Sequence, residues 1–387
     1  MRKTFKFRLY PKKSQITALN KQLEGCRWVF NESLATKKTA WESNKESISL
    51  YSLNKFLTSW KEQKPELNDV HSQVLQNVQE RVDLAYKAFF RRCKAGENPG
   101  FPRFKGFNRY SSMTFKQSGF RIHPDSTVYL SKIGRIPVVF HRPIQGEIKT
   151  CTIQKTQTDK WFVNFSCEIT RPITLMPTGL SVGIDLGLKT YIQASDGFKV
   201  NNPKFFKKEE KNLAKVQRKF SKFPKNIKSP EKTKAKIVVA KVHERIANKR
   251  KDFCHKTVNT FIQKYDKIVH EDLNIKNMLE QKKFSKSISD ASWSLLIQLL
   301  SYKAVEAGRT TVSVDPRNTS QRCSRCLELV PKDLSVRIHS CPYCGLKIDR
   351  DLNASINILR LGLESGGVPK TRRKAVAEAS IHGSPRL

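Results

Sequence analysis

The 387-residue sequence predicts a multidomain α/β protein, and three observations lead to that prediction. Short strand patterns in the N-terminal half flank a long helical stretch, which is typical of a small β-barrel carrying a helical insertion. A buried strand with a hairpin signal, followed by alternating helices and strands, predicts a second, mixed α/β domain. Two cysteine pairs interrupt that second domain just before its last helix, which predicts an inserted metal-binding module.

The charge indicates a polyanionic partner. Lysine and arginine total 73 against 34 aspartate and glutamate residues, so the formal net charge is +39. A surface this positive attracts RNA or DNA first, and an anionic membrane surface less strongly. No apolar run approaches the ~20 residues that span a bilayer, and the N-terminus lacks a secretory apolar region. We therefore expect a soluble intracellular protein that binds nucleic acid and no membrane.

The β-barrel is predicted to consist of residues 1–12 and 112–178. Residues 2–10 alternate basic or polar with apolar side chains and stop at a proline, as a strand with one basic face does. Later short runs separated by turn residues supply the other strands: 128–130, 136–140, 148–153 and 161–167. The helical insertion is residues 13–111, with helices near 14–40, 51–63 and 70–94; a linker follows the barrel at 171–179.

The helix over 70–94 has an amide-rich face that is a candidate nucleic-acid contact. Its valines recur at helical spacing, whereas Gln76 and Asn77 face elsewhere. Gln and Asn side chains pair bidentately with adenine, so this face could read bases. An ordinary solvated face has the same pattern, and the sequence leaves both interpretations open.

The loop over 96–110 is a second candidate contact. Its phenylalanines alternate with basic residues, among them Arg103 and Lys105. Aromatic and basic side chains on a loop can stack bases and hold phosphates. The same aromatic residues could instead fasten a long loop to the protein surface, and both interpretations stay open.

The α/β domain begins with a strand in the segment 181–190. Its apolar residues share one face, and Asp185 lies on the other face between Gly183 and Gly187. A charge on a rigid apolar element is costly without a partner or a metal ion, and the glycines leave room for another backbone. Asp185 is therefore either the first carboxylate of a metal-dependent nuclease or a structural aspartate bonded to a turn. The hairpin signal follows at residues 195–197.

Residues 204–251 form the most basic stretch, with eighteen lysines and arginines and four glutamates. Apolar residues recur at helical spacing on both sides of a break at 223–225. The pattern predicts two basic helices, each with one buried stripe and one surface that faces phosphates. A merely solvated charge run is the alternative.

Two further carboxylates follow at comparable intervals. Glu271 lies near the end of a strand over 267–272, and Asp351 opens the last helix. Each has an ordinary explanation: Glu271 could be an exposed strand-end carboxylate, and Asp349 or Asp351 a helix N-cap. Acids at a strand centre, a strand end and a helix start, each about 80 residues apart, can also converge in a ribonuclease H-like fold. Three converging carboxylates need cations, and two Mg²⁺ ions, or Mn²⁺, would satisfy them.

The cysteine pairs predict a structural zinc site. Four of the nine cysteines form two CxxC pairs separated by fourteen residues: Cys323, Cys326, Cys341 and Cys344. This spacing is typical of a zinc ribbon with one tetrahedral Zn²⁺, and four protein ligands leave no open position for catalysis. A redox CxxC is the alternative. The ribbon directly precedes Asp351 and could steady the loop that presents it.

Taken together, these residues resemble the TnpB proteins, the OrfB proteins of insertion sequences, which are related to the type V CRISPR nucleases. The resemblance rests on the segment Gly-Ile-Asp-Leu-Gly-Leu-Lys, the segment Glu-Asp-Leu-Asn, the cysteine ribbon after Arg317-Asn-Thr-Ser-Gln, and the segment Asp-Arg-Asp-Leu-Asn-Ala. It covers nearly the whole chain, including the opening Phe-Arg-Leu-Tyr-Pro and the segment Phe101-Pro-Arg-Phe-Lys. By motif match, Asp351 rather than Asp349 is the third ligand, beside Asp185 and Glu271. Leu327 departs from the family pattern, because glycine usually follows the second cysteine.

The resemblance implies an RNA-guided DNA endonuclease. A transposon-end RNA would occupy the basic channel, and a RuvC-like site would cut both strands of double-stranded target DNA. The barrel and the helical domain, including the region of Gln76 and Asn77, would recognise a short motif beside the target. We expect one protein monomer per RNA, in the cytoplasm of a prokaryote and on the nucleoid when bound to DNA. The implied domains are a wedge barrel (1–12 and 112–178), a helical recognition domain (13–111), a RuvC-like nuclease domain (179–315 and 346–364), a zinc ribbon (316–345) and a flexible tail (365–387).

Two other functions compete with this one. A guided protein could bind DNA without cutting, but some relatives that do so lose carboxylates, and all three are present here. A transposase or transposase accessory factor is the third hypothesis, although no tyrosine or histidine constellation for covalent strand transfer stands out.

Overall fold

A computed structural model describes residues 1–170, 174–224, 229–280, 284–333 and 335–364. The chain divides into two compact units, Met1–Thr170 and Arg171–Leu387. The start of the predicted linker, at 171–173, and the predicted tail, at 365–387, lie outside the described residues. No helix in the described ranges is long and apolar enough to cross a membrane.

The first unit contains a seven-stranded antiparallel sheet. Its strands are β1 (Arg2–Leu9), β2 (Ser112–Phe115), β3 (Phe120–His123), β4 (Thr127–Leu130), β5 (Gly134–Val139), β6 (Glu147–Lys155) and β7 (Trp161–Glu168). The order is β2-β6-β7-β1-β5-β4-β3, so the N-terminal strand pairs with β7 on one side and β5 on the other. The expectation that residues 2–10 join the later strands is confirmed.

This sheet is a near-barrel, not the closed barrel that the sequence predicts. Within the described residues, its edge strands β2 and β3 are not paired with each other. The strict alternation along β1 and β7 explains the buried face: Phe5, Phe7 and Leu9 lie inside with Val163 and Phe165. Arg2, Lys6 and Arg8 of β1 lie on the opposite face, which agrees with the predicted basic face, whereas Lys3 lies on the face of Phe5 at the end of the strand.

The helical insertion lies between β1 and β2. It comprises α1 (Lys13–Asn44), α2 (Leu50–Gln63), a 3₁₀ turn (Pro65–Asp69) and α3 (Ser72–Lys94). The amide face of α3 differs from its prediction: Gln79 is fully buried and donates to the carbonyl of Leu53 at 2.8 Å, and Asn77 is also buried. A buried amide needs a hydrogen-bond partner and can find one on a neighbouring helix, a contact that hydropathy periodicity does not register.

The second unit is built on a five-stranded mixed sheet. Its strands are β8 (Ser181–Leu186), β9 (Thr190–Ala194), β10 (Lys199–Asn201), β11 (Lys267–Glu271) and β12 (Thr310–Val314), in the order β10-β9-β8-β11-β12. The first three form an antiparallel meander, and β11 runs parallel to both β8 and β12. This arrangement of three antiparallel strands followed by two parallel ones is a RuvC-like mixed α/β region.

Six helices in the described residues of this unit connect or cover the strands. They are α4 (Phe205–Ser221), α5 (Pro230–Lys264), α6 (Ile275–Glu280), α7 (Ser285–Ala291), α8 (Trp293–Glu306) and α9 (Arg350–Glu364). The sequence also predicts a separate helix at 252–265, a loop at 273–278 and one helix from Ser289 to Glu306. Instead, α5 continues through the first of these segments to Lys264. Helix α6 replaces an expected loop, and the helix expected from Ser289 is broken at Ser292, whose φ of 56° is left-handed.

Helix α9 lies against the sheet because two glycines allow it. A β-carbon at Gly183 of β8 would lie 2.2 Å from the backbone oxygen of Ser355 in α9. A β-carbon at Gly362 would lie 2.4 Å from the side chain of Val269 in β11. The close backbone approach expected at Gly183 is confirmed, and it fixes the helix that carries Asp351 onto the strand that carries Asp185.

Candidate metal centres

Asp185 and Glu271 lie at the same level on neighbouring parallel strands. In the pairing of β8 with β11, Ile184 is the partner of His270, and each acid is the next residue of its strand. Side chains at one level of a parallel pair point to the same face of the sheet. The two carboxylates therefore face the same side, at the carboxyl ends of the strands.

Asp351 reaches this edge from the first turn of α9, and Asp349 caps the helix. Asp349 Oδ1 accepts the backbone N–H groups of Asp351 at 2.9 Å and of Leu352 at 3.1 Å. The N-cap interpretation thus holds for Asp349 and not for Asp351, whose side chain has other partners.

The Asp185 carboxyl is held in a protein environment that disfavours its charge. Burial raises its pKa to about 8, and the nearby carboxylates of Glu271 and Asp351 add to the effect. Arg350 and the backbone N–H of Leu186 act in the opposite direction. A divalent cation bound beside Asp185 would offset the repulsion from Glu271 and Asp351.

Glu271 is buried, so the exposed strand-end interpretation is wrong. Its side chain is 8% exposed, and Thr319 Oγ1 donates to its Oε1 at 2.6 Å. Burial raises the pKa of Glu271, and the hydrogen bond from Thr319 lowers it. The strand end is covered by the stretch of chain that leads from β12 into the cysteine module.

Asp351 is paired with arginine. Arg350 Nη2 lies 2.9 Å and its Nε 3.1 Å from Asp351 Oδ1, and Arg337 Nη1 lies 3.8 Å from Oδ2. The Arg350 guanidinium also donates to the carbonyl of Val336 at 3.2 Å. The ion pair offsets the negative charge of Asp351.

The donor chemistry of the three acids fits Mg²⁺ or Mn²⁺, which prefer carboxylate oxygen. We compared the possible ligand atoms of histidine, cysteine, aspartate and glutamate side chains. Within the described residues, only the four cysteines form a group of three or more whose ligand atoms all lie within 4.8 Å of one another. At least one pair among Asp185, Glu271 and Asp351 therefore lies farther apart than that.

The cysteine module has the geometry of a zinc site. The Sγ atoms of Cys323 and Cys344 are 3.6 Å apart, those of Cys326 and Cys341 are 3.5 Å apart, and all four lie within 4.8 Å. A tetrahedron with Zn–S bonds of ~2.3 Å has sulfur separations of roughly 3.8 Å, so the four thiolates fit one Zn²⁺. The redox interpretation of the CxxC pairs does not explain four converging sulfurs.

The two halves of the module repeat one backbone pattern. The N–H of Leu327 donates to Cys323 O at 3.1 Å, and the N–H of Gly345 donates to Cys341 O at 3.0 Å. Leu327 and Gly345 have φ values of 70° and 71°. Leu327 thus adopts the left-handed conformation that explains why glycine is usual at this position. A short hairpin, β13 (Ile338–Ser340) with β14 (Lys347–Asp349), completes the module.

The basic helices expose their charge as predicted. Leu213 of α4 packs with Val242 and Ile246 of α5 in a small buried cluster. Many of their lysines and arginines are exposed on other faces, including Lys207, Lys208, Lys211, Lys215, Arg218, Lys219, Lys234, Lys236, Lys241, Arg245 and Lys249.

The four candidate nucleic-acid contacts in the first unit differ in accessibility. Gln76 and Arg103 are exposed. Asn77 is buried, donating to Glu80 Oε2 at 2.9 Å and accepting from Arg81 at 3.0 Å. Lys105 is half-buried; its backbone is bonded to Asn31, and its ammonium lies 5.4 Å from the ring of Phe30. Their contact with nucleic acid stays a prediction.

Two residues at the carboxylate edge were not singled out from the sequence. Arg350 adjoins Asp351 in the motif Asp-Arg-Asp, where a cation between two acids is a local signal. Thr319 lies 48 residues from Glu271, and no sequence pattern links the two.

Comparison with family models places three matches along the chain. Residues 1–46 match a model described as "Helix-turn-helix domain", residues 164–282 one described as "Probable transposase" of the OrfB_IS605 type, and residues 293–358 one described as "Cas12f1-like, TNB domain". The first of these covers β1 and the single long helix α1.

Full-length relatives are also found. A Streptomyces pristinaespiralis protein named "Putative RNA-guided DNA endonuclease" is 31% identical, covering 100% of this chain and 97% of its own. The Escherichia coli K12 protein "Putative RNA-guided DNA endonuclease InsQ" is 29% identical over 92% of each chain. Among solved structures, CasPhi-2 (Cas12j) bound to crRNA and phosphorothioate-DNA matches with a TM-score of 0.49 at 11% identity, covering 96% of this chain and 93% of its own.

Proposed function

Because this chain belongs to the TnpB/OrfB family of IS605 insertion sequences, we propose that it is an RNA-guided DNA endonuclease of a transposable element. The proposed reaction is hydrolysis of phosphodiester bonds in target DNA. The observation that carries the proposal is the equal level of Asp185 and Glu271 on adjacent parallel strands, with the start of α9 held at the same sheet by Gly183.

The proposed catalytic residues are the three carboxylates. Asp185 lies on the rigid central strand β8, Glu271 ends the neighbouring strand β11, and Asp351 lies in the first turn of α9. The three side chains would hold the ions between them. Two Mg²⁺ ions held there would supply activation of water and stabilisation of the leaving 3′ oxygen. Arg350 binds Oδ1 of Asp351, so Oδ2 is the oxygen that would be offered to a metal ion.

The proposed partners are a guide RNA from the transposon end and double-stranded DNA with a short motif beside the target. The exposed cations of α4 and α5 support RNA binding through phosphates. Base pairing with the guide would then read the target sequence. The four cysteines are proposed to hold one structural Zn²⁺, which stabilises the module by the free energy of metal binding.

The test is guided cleavage by the purified complex. RNA that co-purifies with the protein is sequenced, and its guide segment is replaced by one that matches a chosen plasmid. The expected result is Mg²⁺-dependent cutting of the matched plasmid and none of a plasmid with a mismatched target. Matched binding without any cutting would favour the guided binder, and cutting without regard to the guide would contradict the proposal.

A further inference from the structure

Thr319 connects the cysteine module to Glu271. Its hydroxyl lies 2.6 Å from Glu271 Oε1, and the two residues are only 5% and 8% exposed. The same oxygen lies 3.1 Å from the carbonyl of Pro316, but a hydroxyl has a single proton. The shorter distance is typical of a hydroxyl bonded to a carboxylate, so the proton is directed at Glu271. One oxygen of Glu271 is thereby fixed.

Two asparagines of α9 hold the segment that contains Thr319. Asn357 Nδ2 donates to Thr319 O at 2.9 Å and to Arg322 O at 2.6 Å. Asn353 donates to Arg322 O at 2.8 Å and accepts the N–H of Ser324 at 2.9 Å. The two backbone groups that flank Cys323 are therefore bonded to a single amide side chain.

These asparagines are almost fully buried, at 0% and 1% exposure, so their hydrogen bonds are costly to break. Helix α9 also carries Asp351 in its first turn. One set of buried hydrogen bonds thus links the metal-binding cysteines, the helix of the third carboxylate and the side chain that contacts the second.

We propose that Thr319 is a positioning residue for Glu271, and that the cysteine module acts on the carboxylate centre by holding Thr319 in place through Asn357. The inference rests on the proposed function, because it takes Glu271 to be a ligand of the divalent ions. Partners of metal-ligating side chains restrict the ligand to one orientation, and their loss typically lowers metal affinity or activity about 10–100-fold. The module is then a support of the carboxylate centre as well as a folded element of its own.

The direct test is Mn²⁺ binding to the protein–RNA complex, followed by electron paramagnetic resonance without DNA. Thr319→Val removes the hydroxyl and keeps the shape, whereas Thr319→Ser keeps the hydroxyl. We expect Thr319→Val to weaken Mn²⁺ binding about 10–100-fold and Thr319→Ser to stay within about threefold of the wild type. Thr257→Val is the matched control, because Thr257 is equally buried, 6% exposed, on α5; it should bind Mn²⁺ normally.

A second measurement separates positioning from folding. Zinc content and thermal unfolding of each variant are determined beside the Mg²⁺ dependence of cleavage. Positioning predicts a higher half-saturating Mg²⁺ concentration for Thr319→Val, a nearly unchanged rate at saturation, and a full complement of zinc. A lower rate at every Mg²⁺ concentration together with lost zinc would overturn the proposal in favour of a structural role.

The path through Asn357 is tested by a double-variant cycle. If Asn357 acts through Thr319, then Asn357→Ala weakens Mn²⁺ binding, and adding it to Thr319→Val produces little further loss. Two independent losses that add would contradict the path.

Failure of this inference is distinguishable from failure of the proposed function. The wild-type complex could bind Mn²⁺ in a way that depends on Asp185 and still never cut DNA. That result refutes the proposed function, and the positioning role is still tested by metal binding. Wild-type Mn²⁺ affinity in Thr319→Val refutes the positioning role even if guided cleavage is established.

Discussion

Asp349 caps helix α9, and its neighbour Asp351 does not: Asp349 Oδ1 accepts the N–H of Asp351 at 2.9 Å, which leaves the Asp351 carboxylate to face the sheet edge and Arg350. Two acids separated by one residue thus have different tasks. The cap fixes where the helix begins, and the beginning of the helix fixes where Asp351 lies.

Replacing Asp349 should therefore cost stability through the cap. Asp349→Ala is expected to lower the free energy of unfolding by about 1 kcal/mol, since two backbone N–H groups lose their acceptor. Thermal unfolding measures this loss, with Asp252→Ala as the control because Asp252 is exposed and pairs with Lys256 at the surface. Equal stability of the two variants would argue against the cap.

Gly183→Ala should push α9 away from β8. The added β-carbon would lie 2.2 Å from the backbone oxygen of Ser355, which cannot move without moving the helix. We expect a destabilisation of about 1–3 kcal/mol, seen in urea unfolding, and weaker Mn²⁺ binding because Asp351 moves with α9. Gly100→Ala is the control, as nothing lies within 4 Å of its β-carbon. An unchanged Gly183→Ala protein would mean that the close packing is not required.

Leu327→Gly should stabilise the cysteine module. The left-handed conformation at Leu327 costs an L-residue about 1–2 kcal/mol, and the greater freedom of glycine in the unfolded chain removes part of the gain. We expect a net increase of about 0.5–1 kcal/mol in urea unfolding with zinc present. The equivalent change in the other half, Gly345→Ala, should destabilise the module. Destabilisation by both variants would show that packing of Leu327 outweighs its backbone conformation.

The raised pKa of Asp185 predicts a pH-dependent stability of the metal-free protein. In the folded state Asp185 keeps its proton up to about pH 8, whereas its ordinary pKa is 3.8. Between these values the folded state binds more protons than the unfolded state, so stability falls as pH rises. Asp185→Asn lacks this titration and should become more stable than the wild type toward pH 8, by an amount of the order of a few kcal/mol.

The comparison is made by thermal unfolding in EDTA at pH 5 and pH 8. Saturating Mg²⁺ should stabilise the wild type at pH 8 and leave Asp185→Asn nearly unchanged, because the variant has lost a ligand. A stability difference that is the same at both pH values would contradict the raised pKa.

The sequence predicted those parts of the fold that depend on local patterns. Alternation along β1 and β7 marked their buried faces, and the spacing of Cys323, Cys326, Cys341 and Cys344 marked a converging thiolate site. Gly183 was identified as a place where another backbone comes close. Each of these properties is determined within a few residues, so a single sequence contains it.

The sequence did not predict features that depend on distant partners. Buried Glu271 accepts a hydrogen bond from Thr319, 48 residues away, and buried Gln79 donates one to the carbonyl of Leu53, 26 residues away. Short strand patterns separated by turn residues predict a β-barrel, but closure depends on register and curvature that hydropathy does not specify. The apolar spacing is helical on both sides of Ser292, so periodicity alone predicts one helix where the structure has two.

The central claim is that Asp185, Glu271 and Asp351 jointly bind the ions that cut guided DNA. The most direct measurement compares the isosteric variants Asp185→Asn, Glu271→Gln and Asp351→Asn in one assay that records both DNA binding and cleavage with a matched guide. We predict that each variant binds matched DNA like the wild type and cuts it at least about a thousandfold more slowly in Mg²⁺. Cleavage near the wild-type rate by any one of the three would contradict the account.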